Sequence, residues 1–185
     1  MILNDKIFVR FVLVFAGVFA ICHYGTLFMT GIAVPGGSYS PFIDTHLDVT
    51  AWVRSLLIYS TKFILGIMGI GTFRESEYVL RATSGRGIRL VYGCLGYGVM
   101  SFWTAYMAAT SAVLKKKIWW FFGGMLLIYI INVLRLSLVL LSEVNGWRFP
   151  FGWDHHTWFN ITSYLFIFLL IYFYHRFTDK DIPVI

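Results

Sequence analysis

The sequence predicts an all-α integral membrane protein, a bundle of four to five transmembrane helices with a place for one interfacial amphipathic helix. Composition is the first reason. Of 185 residues, 58% are hydrophobic, 19% are aromatic and only 13% are charged, more apolar surface than one soluble core of this size can hide. Run length is the second. Apolar runs of about twenty residues recur, enough for a helix rising ~1.5 Å per residue to cross a hydrocarbon layer ~30 Å thick. Charge placement is the third. The net charge of +6 does not form one long stripe, so it does not suggest a nucleic-acid partner and fits the basic residues that flank membrane spans. With four prolines and no repeat or low-complexity tract, residues 1–185 are expected to form a single membrane domain.

The first span is expected at about 7–30, preceded by Asp5, Lys6 and Arg10. It is too long for a signal-peptide core and no small-residue cleavage site follows it, so it is read as an uncleaved span. Residues 50–72 are ambiguous. Arg54, Ser55, Lys62, Gly66 and Gly69 recur near helical spacing, which describes an amphipathic helix, either in the interface or packed as a fifth span. Three further spans are expected at about 90–113, 118–141 and 157–176. The tryptophans 119, 120, 147, 153 and 158 fall near predicted membrane ends, as interfacial anchors do.

Lys115, Lys116 and Lys117, between two spans, are the strongest cytoplasmic marker, and His175, Arg176 and Lys180 follow the last span. Residues 142–156 and the segment before Cys94 are then external. If 50–72 crosses the membrane, Lys6 and Arg10 lie outside. If it rests on the outer surface, the N-terminus is inside, as the positive-inside rule prefers. The expected location is the cytoplasmic (inner) membrane, multi-pass, with the active site facing outside, toward the periplasm.

Two cysteines are present, Cys22 and Cys94. Cys22 lies deep in the first apolar run, which argues against a disulfide, and no C-x-x-C pattern suggests redox or haem chemistry. Cys94 sits in GCLGYG. Ionisable residues within a membrane span are functional candidates by default, and Arg135 in NVLRLSLVLL is one. Counted at helical rise from the basic markers, Cys94, Arg135 and His156 lie roughly 32, 27 and 29 Å out, near one outer boundary.

A cysteine, a histidine and an arginine at one depth suit acyl transfer. Cys94 would attack as its thiolate. His156, or its neighbour His155, would take the thiol proton and later protonate the leaving amine. Arg135 would hold the anion or stabilise the oxyanion of a tetrahedral intermediate. Asn132, one turn before Arg135 on the same helix face, would orient the guanidinium or offer an amide donor. Asp154 stands next to the histidine pair as a supporting residue.

The combination of GCLGYG, NVLRLSLVLL and DHHTWFN resembles the exosortase/archaeosortase family over about residues 85–170. The resemblance implies a membrane cysteine protease/transpeptidase that cleaves C-terminal sorting signals of exported proteins. It puts the nucleophile at Cys94, the cationic partner at Arg135 and the base at His156. It also implies a substrate carrying a short motif, a hydrophobic helix and a basic tail. Leu95 replaces the serine or asparagine usual after the cysteine, Asn160 replaces a glycine usual after the histidine, and the chain is short for the family. No cofactor or metal is expected; exported proteins and membrane lipid are the expected partners.

Blander readings stand beside these. Cys94 among Gly93, Gly96 and Gly98 could be a small residue at a close helix contact. Arg135 could snorkel or pair with Glu143. The two histidines could be interfacial. Cys22 and His23 are expected to be packing residues. Asp44, His46 and Asp48, with His155, do not form a recognised metal-ligand set. SGRG at 84–87 is expected to be a turn, with Arg86 or Arg89 free to meet a substrate carboxylate or a lipid headgroup. The alternative function is a non-catalytic membrane subunit or a transporter component with Arg135 and the histidines along a polar pathway.

Overall fold

The computed structural model describes residues 2–33, 39–147, 152 and 155–178. The chain is mostly helical, at 77%. In order it forms α1 (Ile2–Ala33), α2 (Pro41–His46), α3 (Val49–Ile67), β1 (Thr72–Arg74), β2 (Val79–Ala82), β3 (Gly87–Arg89), a 3-10 turn (Tyr92–Cys94), α4 (Tyr97–Ala109), α5 (Leu114–Asn145) and α6 (His155–Thr178). Among the described residues, three helical stretches are long and apolar enough to cross a membrane: Lys6–Ala33, Leu114–Asn145 and Asn160–Thr178.

Two expectations change. The chain is not all-α, because β1, β2 and β3 form an antiparallel sheet in that order. The predicted span at 90–113 is also not one helix. Its α-helical part, α4, has 13 residues, or about 20 Å at helical rise, and falls short of the hydrocarbon thickness. Gly96 adopts a left-handed conformation (φ +79°), which separates the turn carrying Cys94 from α4. Cys94 therefore does not open a continuous helix, and its depth cannot be counted from Lys115 at helical rise.

The helices alternate in direction, and side-chain pairs at each end fix their relative heights. At one end Phe11 of α1 packs edge-on against Tyr106 of α4 (6.2 Å between centroids). Tyr106 meets Tyr174 of α6 at 5.9 Å, and Trp120 of α5 meets Tyr174 at 5.7 Å. Tyr106 Oη and His175 Nε2 share a 2.6 Å hydrogen bond. Toward the other end, Thr26 of α1 bonds Tyr92 Oη at 2.7 Å, and Asn132 of α5 donates to the Cys94 carbonyl. Halfway along the bundle, Gly124 lets α5 close on α4. A Cβ there would lie 2.3 Å from Trp103, a fully buried side chain whose Nε1 donates to the Phe121 carbonyl.

In the region of the ambiguous segment 50–72, residues 49–67 form the amphipathic helix α3, followed by a turn into β1. Its buried stripe is Thr50, Arg54, Leu57, Ile58, Thr61 and Leu65, the spacing of one helix face, while Lys62 is exposed. Arg54 thus lies on the buried face and not on a solvated one. It pairs with Glu77 and sits 4.0 Å above the Tyr78 ring, tying α3 to the sheet. Leu80 and Ala82 of β2 join Leu57, Ile58, Leu65, Leu136 and Leu140 in the core that also contains Cys94 and Leu95.

Candidate functional site

Cys94 ends a 3-10 turn whose N–H donates to the Val91 carbonyl at 2.8 Å. Its carbonyl accepts from Asn132 Nδ2 at 3.1 Å, inside the protein. That contact fixes the amide orientation of Asn132, since the reverse would set two oxygens against each other. Asn132 is thus a brace between α5 and the Cys94 turn. Its other polar atom, Oδ1, is buried with no hydrogen-bond partner among the described residues. Gly96 completes the fit: a Cβ there would come within 3.2 Å of Asn132 Nδ2, and the positive φ favours glycine independently.

Arg135 of α5 stands beside the Cys94 turn, on the same cavity. Both side chains are buried, Cys94 to 7% exposure and Arg135 to 8%. They line one cavity of about 210 Å³ with Gly87, Ile88, Arg89, Val91, Leu136, Val139 and Glu143. Gly87, Arg89, Val91 and Glu143 are exposed, so the cavity opens between β3 and the end of α5. Cys94, Arg135 and Asn132, proposed from sequence as one group, are brought together.

Leu95 occupies the position where the resembled family has a polar residue. Here it is fully buried in the apolar core, so leucine suits its surroundings and contributes nothing polar to the Cys94 cavity. Gly93 and Gly98 face the other way, onto a second cavity of about 360 Å³. This one is lined by His23 of α1, Tyr92, Gly96, Tyr97, and Asn160 and Ser163 of α6, among others. The two cavities flank the Cys94 turn.

His155 and His156 open α6, and their side chains lie outside the described residues, as does Asp154. Position 156 is one helical turn before Asn160, which lines the second cavity. Asp44, His46 and Asp48 are engaged locally. Asp48 caps α3 by accepting from Ala51 N–H at 2.9 Å, and Asp44 accepts from Tyr39 Oη at 2.8 Å. The His46 ring stacks on Phe42, and no metal-binding group of three or more residues occurs among the described residues.

Three lining residues were not given these places from sequence. Arg89 and Glu143 flank the mouth of the Cys94 cavity, and His23 lines the adjoining one. The ring of His23 stacks on Phe19, and its Nδ1 is buried without a partner among the described residues. A histidine at helical spacing from Phe19 in an apolar run looks like packing, and its ring does pack on Phe19. Comparison with family models, curated proteins and solved structures finds no match to this chain.

Proposed function

We propose that this chain is a membrane cysteine protease/transpeptidase of the exosortase/archaeosortase type, acting on C-terminal sorting signals of exported proteins. The observation that carries the reading is that Cys94 and Arg135 line one open cavity, with the Cys94 turn held by Asn132 through its carbonyl. A guanidinium brings a positive charge and a planar fork of donors to the place where an oxyanion would form.

In the proposed step the Cys94 thiolate attacks the scissile carbonyl and an oxyanion forms, with Arg135, a buried cation on the same cavity, to stabilise it. The C–N bond then breaks, and the departing amine takes a proton from His156, with His155 as the alternative donor. The acyl group, held as a thioester, passes to water or to an acceptor amine or hydroxyl, whose proton returns to the histidine that protonated the amine, and the Cys94 thiolate is restored. Asn132 serves as a positioning residue through the Cys94 carbonyl.

The proposed setting is a four- or five-helix arrangement in the cytoplasmic membrane, with α4 and α3 completing a bundle around the three long apolar helices. Lys115–Lys117 would face the cytoplasm and the Cys94 cavity the outside. The alternating helix directions are compatible with this. The alternative, a non-catalytic subunit or transporter component, draws on the 360 Å³ cavity with His23, Asn160 and Ser163 beside the Cys94 turn. Cys94→Ala separates the two. A protease loses all processing with the protein still inserted and abundant. A transporter keeps its activity with Cys94→Ala and loses it with Arg135→Ala.

A further inference from the structure

β3 is an edge strand beside the candidate nucleophile. It pairs with β2 in the register Val79↔Arg89, Leu80↔Ile88, Arg81↔Gly87. Ala82 N–H donates to the Arg86 carbonyl and Leu90 N–H to the Tyr78 carbonyl. Residues 86, 88 and 90 therefore turn their backbone groups toward β2, and the alternation of an antiparallel ladder turns those of Gly87 and Arg89 outward. Among the described residues no strand lies on that side. Gly87, Ile88, Arg89 and Val91 line the Cys94 cavity with Arg135, so the outward backbone groups and the thiol border the same space.

Charge at this edge is also uneven. The sheet segment carries Arg74, Arg81, Arg86 and Arg89 with Glu75 and Glu77. Glu75 is held by Arg81 at 2.6 Å and Glu77 by Arg54, while Arg74 donates to the carbonyls of Ser76 and Glu77. Arg86 and Arg89 are exposed and outside any ion pair among the described residues. Around the cavity, Arg89 and Arg135 outweigh Glu143 by one positive charge.

We propose that an extended, acidic stretch of the substrate polypeptide docks along the outer edge of β3 as a fourth strand, with Arg89 facing its carboxylates and its scissile bond carried to Cys94. Backbone pairing of this kind supplies affinity without demanding a fixed sequence, and side-chain contacts supply the preference. It also holds the peptide extended, which exposes a carbonyl to a nucleophile at the end of the strand. This docking rests on Cys94 being the nucleophile.

The test uses two peptide chloromethyl ketones, one alternating valine with glutamate and one alternating valine with lysine, in a Cys22→Ser background where Cys94 is the single thiol. The Cys94 thiolate displaces chloride and forms a stable thioether, so labelling rate reports docking. The glutamate peptide should label about tenfold faster than the lysine peptide, N-methylation of its backbone should remove most of that gain, and Arg89→Glu should reverse the preference. Iodoacetamide, which needs no docking, gives the intrinsic reactivity of Cys94 in each protein, and every peptide rate is divided by it so that any change in the thiol itself cancels. Equal rates for both peptides, or no effect of N-methylation, alongside normal iodoacetamide labelling would overturn the docking mode and leave the nucleophile standing. Failure of Cys94 to react even with iodoacetamide at neutral pH would overturn both.

Discussion

Asn132→Leu tests how the Cys94 turn is held. Asn132 is 1% exposed, and its Nδ2 is the donor to the Cys94 carbonyl at 3.1 Å. Leucine keeps a branched side chain of similar reach and removes the donor. The Cys94 carbonyl is then stranded inside the bundle, which costs about 1–3 kcal/mol. Removing the buried, unpartnered Oδ1 returns part of that, so the lower half of the range is expected. For a chain of this length, 1–3 kcal/mol corresponds to a fall in Tm of about 2–12 °C. The assay is thermal unfolding of the detergent-purified protein, read together with the iodoacetamide rate at Cys94 at a temperature where the variant is folded. Both should change: Tm falls by a few degrees, and alkylation slows because the Cys94 turn is no longer held beside Arg135. Wild-type Tm and a wild-type alkylation rate together would refute the brace.

Three more predictions follow from the same geometry. Arg135→Gln should slow Cys94 alkylation at neutral pH by about tenfold or more, with Arg135→Lys intermediate because it keeps the charge without the planar fork; rates from intact mass would decide it. Gly124→Ala forces a methyl into the Trp103 indole, 2.3 Å from the site of its Cβ, and should cost about 1–3 kcal/mol. Trp103→Leu should suppress much of that penalty, a non-additivity visible in a double-mutant thermal series. Glu77→Gln leaves Arg54, which is 3% exposed, without its ion-pair partner. Because Glu77 itself is half exposed, the loss should be about 1 kcal/mol, and it should shrink in high salt as screening grows.

The long apolar helices were readable because the signal is long. Twenty apolar residues leave few alternatives, and α1, α5 and α6 sit where the runs place them. Residues 90–113 misled for the same reason. Their apolar character continues through the 3-10 turn and Gly96, so hydropathy alone joins the turn to α4. The sheet was hidden by its size, with strands of three or four residues and arginines that read as a polar loop. Only SGRG at 84–87 marked the hairpin, as a turn.

At the site, the pairing of Cys94 with Arg135 and Asn132 was legible because rare polar residues in apolar surroundings tend to find each other. The depth count pointed to that meeting, although its continuous-helix premise does not hold for Cys94. Arg89 and Glu143 were not legible as cavity residues, since their position depends on where β3 and the end of α5 lie relative to each other. Asn132 was expected to orient Arg135 or offer an amide donor, and its amide in fact engages the Cys94 carbonyl.

The central claim, that Cys94 is the nucleophile for processing exported proteins, is tested most directly in the native host. Chromosomal Cys94→Ala would be compared with wild type by mass spectrometry of the C-termini of exported proteins, with the variant protein quantified in the membrane. The account predicts a set of exported proteins that retain a C-terminal hydrophobic segment and basic tail in the variant and lose them in wild type. Identical C-termini in both strains, with the Cys94→Ala protein present at wild-type abundance, would contradict it.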